Sequence, residues 1–352
     1  MTVRGAATPD APRFDDAARV YDAVLVMSFG GPEGPDDVLP FLENVTRGRG
    51  VPRERLLEVA HHYDAFGGVS PINAQNRALI AALAAELARD GPELPIYFGN
   101  RNWHPFVTDT VREMRDAGVR RAIAFVTSAF SSYSGCRQYR EDIVRAMEAV
   151  PGAPEIDKLR TFFNHPGFIA PNVENLRRAL DAVPEERRER ARVVFTAHSV
   201  PLAMARASAY EAQLIEACRL VAEGAGRREW ALVYQSRSGS PQSPWLEPDI
   251  LECLDRLASG GATDAVALPI GFTSDHLEVM FDLDVEAQQR AAGLGLNLVR
   301  AATVGTAPAF VRMIRDLIVE RTSAGSARAA LGRLGPVHDV CPVNCCLARA
   351  PD

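Results

Sequence analysis

The 352-residue sequence predicts an α/β protein of two similar, Rossmann-like doubly wound lobes, each a roughly four-stranded parallel sheet flanked by helices. Three observations predict it. Four apolar runs in the first half have counterparts, in the same order, in the second half. Segments of helical period separate the runs, which implies βαβ units with right-handed crossovers. The runs themselves are β-branched and apolar, as suits strands buried on both faces. Hydrophobic content of 47% with 24% charged residues excludes a disordered or fibrous chain. A formal charge of −6 leaves no broad basic face for phosphate backbones, so nucleic acid is not an expected partner and the substrate is expected to be small.

Taken in order, residues 1–20 are polar and proline-containing, lack the apolar core of a secretory signal, and read as a flexible arm. The first lobe is expected over 21–187. Its first strand lies in Tyr21 to Pro32 (YDAVLVMSFGGP), where an apolar run enters a small-residue turn closed by proline. An insertion follows, 33–70, with no equal in the second half; it mixes arginines, aromatics and glycine turns and reads as a substrate wall or lid, or else as an ordinary helix-loop excursion. Helical period over Asn76 to Asp90 and Val107 to Ala117 flanks the second run, Leu94 to Asn102. The third run, Arg120 to Ser134, ends in SSYS, and Asn164 to Ile169 leads into helical period from Val173 to Ala182. The most apolar helical stretch, Ala78 to Ala88, is broken by Glu86 and falls far short of the roughly 20 residues that span a bilayer. A soluble, cytoplasmic protein is expected.

The second lobe, 188–325, repeats the plan with Ala191 to Pro201, Trp230 to Gly239, Thr263 to His276 and Thr306 to Val311. Ligands of such sheets sit beyond the carboxyl ends of strands. His198 stands at one such end, in TAHSVP. Beyond another lies GFTSDHLEVMFDLDVE, which gathers Asp275, His276, Glu278, Asp282, Asp284 and Glu286. A helix starting near Ser274 would put Asp275, Glu278 and Asp282 on one face, at i, i+3 and i+7. The helix macrodipole favours acids in a first turn, but six ionisable groups in twelve residues exceed that need. A lone histidine at a strand end is more often structural than functional; the acidic stripe beside it shifts the balance. Walker, GxSxG and HExxH motifs are absent.

Together TAHSVP, QSRSGSPQSPWL, GFTSDHLEVMFDLD, FGGVSPIN and GNRNWHP resemble the ferrochelatase family, in register from about Tyr21 to Arg321. The resemblance implies the chelatase fold closing around a porphyrin, with ferrous iron as the second substrate. It assigns His198 and Glu278 as the metal-handling and proton-accepting pair, facing each other across the ring from one lobe while the other lobe holds it. It also implies that Asp282, with Asp275, relays protons or metal. By the same likeness Ser70 and Tyr133 contact the porphyrin and its propionates, with Tyr63, Arg47 and Arg49 as looser candidates. Phe29 stands at a porphyrin-binding position where cluster-free relatives carry tyrosine, so no phenolate can act as axial ligand there. The residue types suit the reaction, because two pyrrole protons must leave as Fe2+ enters and imidazole is a fitting ligand for that ion.

The last segment, 326–352, carries Cys341, Cys345 and Cys346. Three thiolates need a fourth for a [2Fe-2S] cluster, and Cys136 in SSYSGC is best placed; cluster-bearing ferrochelatases look similar. Cys218 and Cys253 lie on helical segments and read as small core residues. SYSGC, NVTRGRG and the cysteine tail resemble actinobacterial members, which implies coproporphyrin III as substrate. The alternatives are protoporphyrin IX, a cobalt chelatase of another tetrapyrrole, a non-catalytic haem or porphyrin carrier, or an iron or redox sensor. Transient contact with neighbouring haem-pathway enzymes is a further expectation.

Overall fold

A computed structural model describes residues 11–48, 50–238 and 243–349; the first half of the N-terminal arm, Arg49, residues 239–242 and the extreme C-terminus lie outside them. Strands β1 (Ala23–Ser28), β2 (Ile96–Asn100), β3 (Arg121–Val126) and β4 (Glu155–Lys158) form one parallel sheet in the order β2-β1-β3-β4. Strands β5 (Arg192–His198), β6 (Trp230–Gln235), β7 (Asp264–Leu268) and β8 (Asn297–Arg300) form a second, in the order β6-β5-β7-β8. The internal repeat is thus a repeat of topology. The first three expected pairs of apolar runs supply equivalent strands of the two sheets; the fourth pair, Asn164 to Ile169 and Thr306 to Val311, instead opens the helices Pro166–Asp181 and Pro308–Thr322 that follow β4 and β8.

Alternation within the strands divides each sheet into two faces. Val24, Val26, Ile123 and Phe125 of the first sheet share one core with Val193, Phe195, Val266 and Leu268 of the second. Ala23, Leu25, Met27 and Val126 face outward into a separate core, as do Val194, Ala265 and Ala267 into a third. Burying both faces removes the polar alternation that a solvent-facing strand would show.

Chain order and packing part company at the lobe boundary. The helix Pro166–Asp181 belongs by sequence to the first lobe, yet it packs on β7, β8 and the helix Tyr210–Gly224 of the second. In return the last helix, Pro308–Thr322, packs on Ile72–Asp90 of the first lobe and on Pro166–Asp181. Gly167 permits the close approach, since a Cβ there would come within 2.5 Å of the Ala309 carbonyl oxygen. The expected division at 187 and 188 therefore separates the sheets but not their covering helices.

The insertion 33–70 forms two helices, Pro35–Val45 and Arg53–Asp64, closed at the base by a bridge between Glu33 and Val69. Val38, Phe41, Leu42, Leu56 and Tyr63 pack with Leu277 from beyond β7. The insertion thereby joins the wall of one lobe to the strand end of the other. Among the described residues no helix is long and apolar enough to cross a membrane.

Candidate active site and cysteine cluster

In each sheet the chain leaves the central strand toward opposite sides, and the crevice at that switch point is where ligands of doubly wound sheets sit. Phe29 follows β1, Tyr133 follows β3, His198 ends β5, and Gly271 to Glu278 follow β7. All four sequence signals therefore fall at switch-point strand ends.

The His198 ring is oriented by its own backbone neighbour. Nδ1 lies 2.5 Å from the Ser199 carbonyl oxygen, which can only accept, so Nδ1 carries the proton. Nε2 is then left with a free lone pair. It stands 3.6 Å from Glu278 Oε2, and the Tyr210 hydroxyl donates to the His198 carbonyl at 3.0 Å. A ring held between two groups in van der Waals contact separates them by about 7 Å, twice an ordinary contact distance. The expectation that His198 and Glu278 face each other across the porphyrin is therefore corrected: they converge on one point from the same side.

His276 joins them. Its Nδ1 is 4.0 Å from Glu278 Oε2, and burial, opposed by the Glu278 charge, holds its imidazole below the usual histidine range. Two imidazole rings and a half-exposed carboxylate thus meet in one place. The sequence reading counted His276 only as part of the acidic stretch. Its position immediately before the helix, two residues from Glu278, was the available signal.

The helix starts at Leu277, not near Ser274, and from Met280 to Ala287 it widens into a π-helix. Asp275 consequently lies outside it, contrary to the expected shared face. Its carboxylate is engaged by Arg300 at 3.1 Å and Thr303 at 3.3 Å, and its N–H donates to Gln75 Oε1 at 2.9 Å. Asp284 shares the same Arg300 at 2.6 Å. These two acids bind the same arginine. Glu278, Asp282 and Glu286 recur every fourth residue, close to the wider pitch of the π-helix. Burial pushes the Asp282 carboxyl up to about 7, against hydrogen bonds from Ser236 and Gln235 and with help from the charges of Glu278 and Glu286. Burial and the Asp249 charge also raise Glu286. Glu278, Asp282 and Glu286 thus form a line of carboxylates that begins beside His198.

The expected porphyrin contacts fare differently. Phe29 is 37% exposed at the end of β1, edge-on to Phe41 at 6.2 Å and beneath Arg101 at 5.9 Å. Tyr63 is buried in the insertion, where burial and the Glu278 charge raise its phenol. The Tyr133 hydroxyl donates to Glu141 at 3.2 Å. Arg47 is exposed in the turn after Pro35–Val45. Ser70 is 4% exposed, its N–H donates to the Pro32 carbonyl, and its side chain leaves no room for a Cβ on Gly31, so it shapes the glycine turn after β1. His62 stacks on Phe281 at 3.8 Å, closing the insertion onto the π-helix.

The six cysteines are free thiols. Cys136 lies within hydrogen-bonding reach of Cys341 and Cys346, and Cys345 within reach of the same two. The four sulfurs therefore form a closed ring, with Cys345 and Cys346 Sγ atoms 3.5 Å apart. Hydrogen bonds from Cys341 and Cys346 hold the Cys136 thiol well below the ordinary range. His338 adds a nitrogen 3.8 Å from Cys345 Sγ, and His338, Cys341 and Cys345 could by themselves hold a metal ion. Cys218 and Cys253 are buried far from this group in helices, where burial raises both thiols.

Comparison with known proteins agrees with this geometry. The ferrochelatase family model matches residues 21–322. A "Ferrochelatase" of Rhodopirellula baltica is 55% identical, over 93% of each chain. A "Coproporphyrin III ferrochelatase" of Streptomyces griseus is 52% identical, over 94% of each, and one of Frankia alni 55% identical, over 94% of this chain and 87% of its own. Among solved structures, SirB from Bacillus subtilis with Fe3+ superposes at TM-score 0.55 and 13% identity, over 89% of this chain and all of its own. A sirohydrochlorin chelatase SirB in complex with cobalt, from the same species, gives 0.53 at 12%, over 86% and 96%. The last two show the two-sheet fold alone. With most of its length matched and strand-end histidine and glutamate brought together, the chain belongs to the ferrochelatase family.

Proposed function

We propose that this enzyme inserts ferrous iron into coproporphyrin III, giving iron coproporphyrin III and two protons, as a step of haem biosynthesis. The carrying observation is the convergence of His198 Nε2 and Glu278 at 3.6 Å beside the buried Asp282, whose carboxyl burial raises to about 7. The relatives' names support the choice of porphyrin.

Charge balance sets what the residues must do. The free-base porphyrin carries two pyrrole N–H groups, and a neutral product with Fe2+ requires both protons to leave. His198 Nε2, with its lone pair fixed outward by the Ser199 carbonyl, takes a pyrrole proton as iron enters from the same side. Glu278 receives that proton, freeing the imidazole for the second. Asp282, with a proton affinity near neutrality, passes it toward the exposed Glu286. Neutral His276 gives the incoming ion a second nitrogen, and weak carboxylate contacts let the ion move on. Asp275 acts through Arg300 by fixing the turn that presents His276 and Glu278. Phe29 offers a ring face to the macrocycle, Tyr133 and Arg47 lie where propionates are bound, and Tyr63 backs the crevice behind Glu278.

Cys136, Cys341, Cys345 and Cys346 fit a [2Fe-2S] cluster, because four thiols from two distant segments close one ring of mutual contacts. Bound there, the cluster supplies a one-electron redox couple and a covalent staple between tail and first lobe. The protein acts in the cytoplasm, with porphyrin and iron as its partners and transient contacts with neighbouring haem-pathway enzymes.

Anaerobic Fe2+ offered with coproporphyrin III and, separately, with protoporphyrin IX tests the assignment. Metallation of the first in clear preference is expected. Preference for protoporphyrin IX overturns the substrate, and porphyrin binding without metallation overturns the activity. For the cluster, visible charge-transfer absorption that vanishes in Cys341→Ser is expected; unchanged colour removes the tail from the ligand set.

A further inference from the structure

The segments on either side of the family core are built onto one another. The family match begins at residue 21 and ends at 322, so both the arm 11–20 and the tail 323–349 lie outside it. Arg13 and Val340 exchange two backbone hydrogen bonds, at 3.2 and 3.0 Å. Asp339, only 1% exposed in its side chain, accepts on one oxygen from the Asp15 N–H at 3.0 Å and from Arg328 Nε and Nη2 at 3.1 and 2.8 Å. Arg328 also reaches the Asp16 carboxylate at 2.7 Å and the Asp15 carbonyl at 3.1 Å, with its guanidinium over the Phe14 ring. Asp15 in turn pairs with Arg19 and with Arg321 of the last family helix, both within 2.9 Å. Asp339 stands two residues before Cys341.

The cysteine loop needs such support. It contains neither helix nor strand, and Cys346 sits at φ 52°, a left-handed conformation that is strained for a side chain of this kind. Ordering a loop costs backbone entropy at every residue, which its own few contacts must offset. A buried carboxylate held by a two-toothed guanidinium and a backbone N–H is a strong local anchor. The anchor draws on the arm for half of its partners.

We infer that the N-terminal arm is a strap that presets the cysteine loop for its cluster, with Asp339 as the positioning residue at the joint. This rests on the cluster reading above. The strap adds no ligand; it lowers the cost of gathering Cys341, Cys345 and Cys346 beside Cys136. Its benefit appears in how fast the cluster is gained and lost.

The test uses the full chain, a variant lacking residues 1–18, Asp339→Ala, and the milder Arg13→Pro, which removes one bridge donor. Each is isolated anaerobically, and iron, acid-labile sulfide, visible absorption and the rate of cluster loss to excess EDTA are measured alongside far-ultraviolet circular dichroism. Cluster loss faster by about five- to thirtyfold is expected in all three, the factor that one or two kcal/mol produces, with unchanged circular dichroism. Asp339→Ala placed in the arm-deleted chain is expected to add less than it does in the full chain, because the two changes share the Asp15 contact while the Arg328 contact remains to be lost. Parental loss rates in Arg13→Pro and the arm-deleted chain overturn the strap. A parent chain without acid-labile sulfide overturns the cluster reading itself, and the strap with it.

Discussion

Asp282 shows how a single residue couples function to pH. Its carboxyl rises from 3.8 to about 7 on folding, chiefly through burial, so between those values the folded protein keeps a proton that the unfolded chain has released. Stability from this group is fully present below about pH 4 and is lost as pH climbs toward 7. Asp282→Asn keeps the neutral shape at every pH. Calorimetry is expected to show the variant melting with its parent near pH 4 and above it near pH 8. The same variant is expected to metallate about 10²-fold more slowly, the usual contribution of a positioned proton-transfer group. Full activity would remove Asp282 from the relay. At His198 the decisive feature is equally local: one carbonyl contact selects the tautomer that leaves Nε2 open. The residue type was evident in TAHSVP, but the tautomer was not, since it depends on where the next carbonyl points.

Among elements, the five-residue π-turn Tyr133–Arg137 carries two jobs at once. Tyr133 at its start faces the proposed propionate site, and Cys136 near its end faces the tail. Arg137 bonds Glu141 at 2.8 Å and the Val343 and Cys345 carbonyls at 2.6 and 3.0 Å, while Glu141 accepts from Tyr133. Removing that guanidinium loosens both ends. Arg137→Ala is expected to raise KM for porphyrin several-fold with kcat nearly unchanged, read from steady-state kinetics over a range of porphyrin concentrations. A fall in kcat at constant KM would place the effect at the iron side instead. The second π-helix, Met280–Ala287, illustrates what pattern reading misses. An eight-residue segment does not contain enough turns for an ordinary and a wider helical pitch to be told apart, and Asp275 falls off the expected face for a separate reason, that the helix begins at Leu277 and not near Ser274. The strands were legible because runs such as Ala23 to Met27 (AVLVM) are apolar at every position, as a strand buried on both faces requires.

Across the whole molecule, the exchange of covering helices makes the two sheets share one core. Arg160, past β4, and Glu320, on the last helix, form a two-bonded ion pair at 2.7 and 2.8 Å with side chains 0% and 3% exposed. Breaking such a pair strands a buried charge. Glu320→Gln is therefore expected to cost about 3–5 kcal/mol, and the double change Arg160→Met with Glu320→Leu to recover most of it, by denaturant titration. Equal loss in single and double variants would show that the pair's shape, not its charge balance, holds the lobes together.

The sequence by itself determined the strands, their repeated order, the strand-end placement of His198 and Glu278, and the four cysteines. These follow from local pattern, from short motifs and from the rule that ligands gather at strand ends. Only the tertiary structure decided that His198, His276 and Glu278 converge on one side, that Asp275 is spent on Arg300, that Ser70 is buried under the glycine turn, and that arm and tail are one unit. Those outcomes depend on side-chain direction and on contacts between residues far apart in the chain, 324 positions in the case of Asp15 and Asp339. Periodicity reports which face of an element is apolar; it carries no information about which distant charge will meet it.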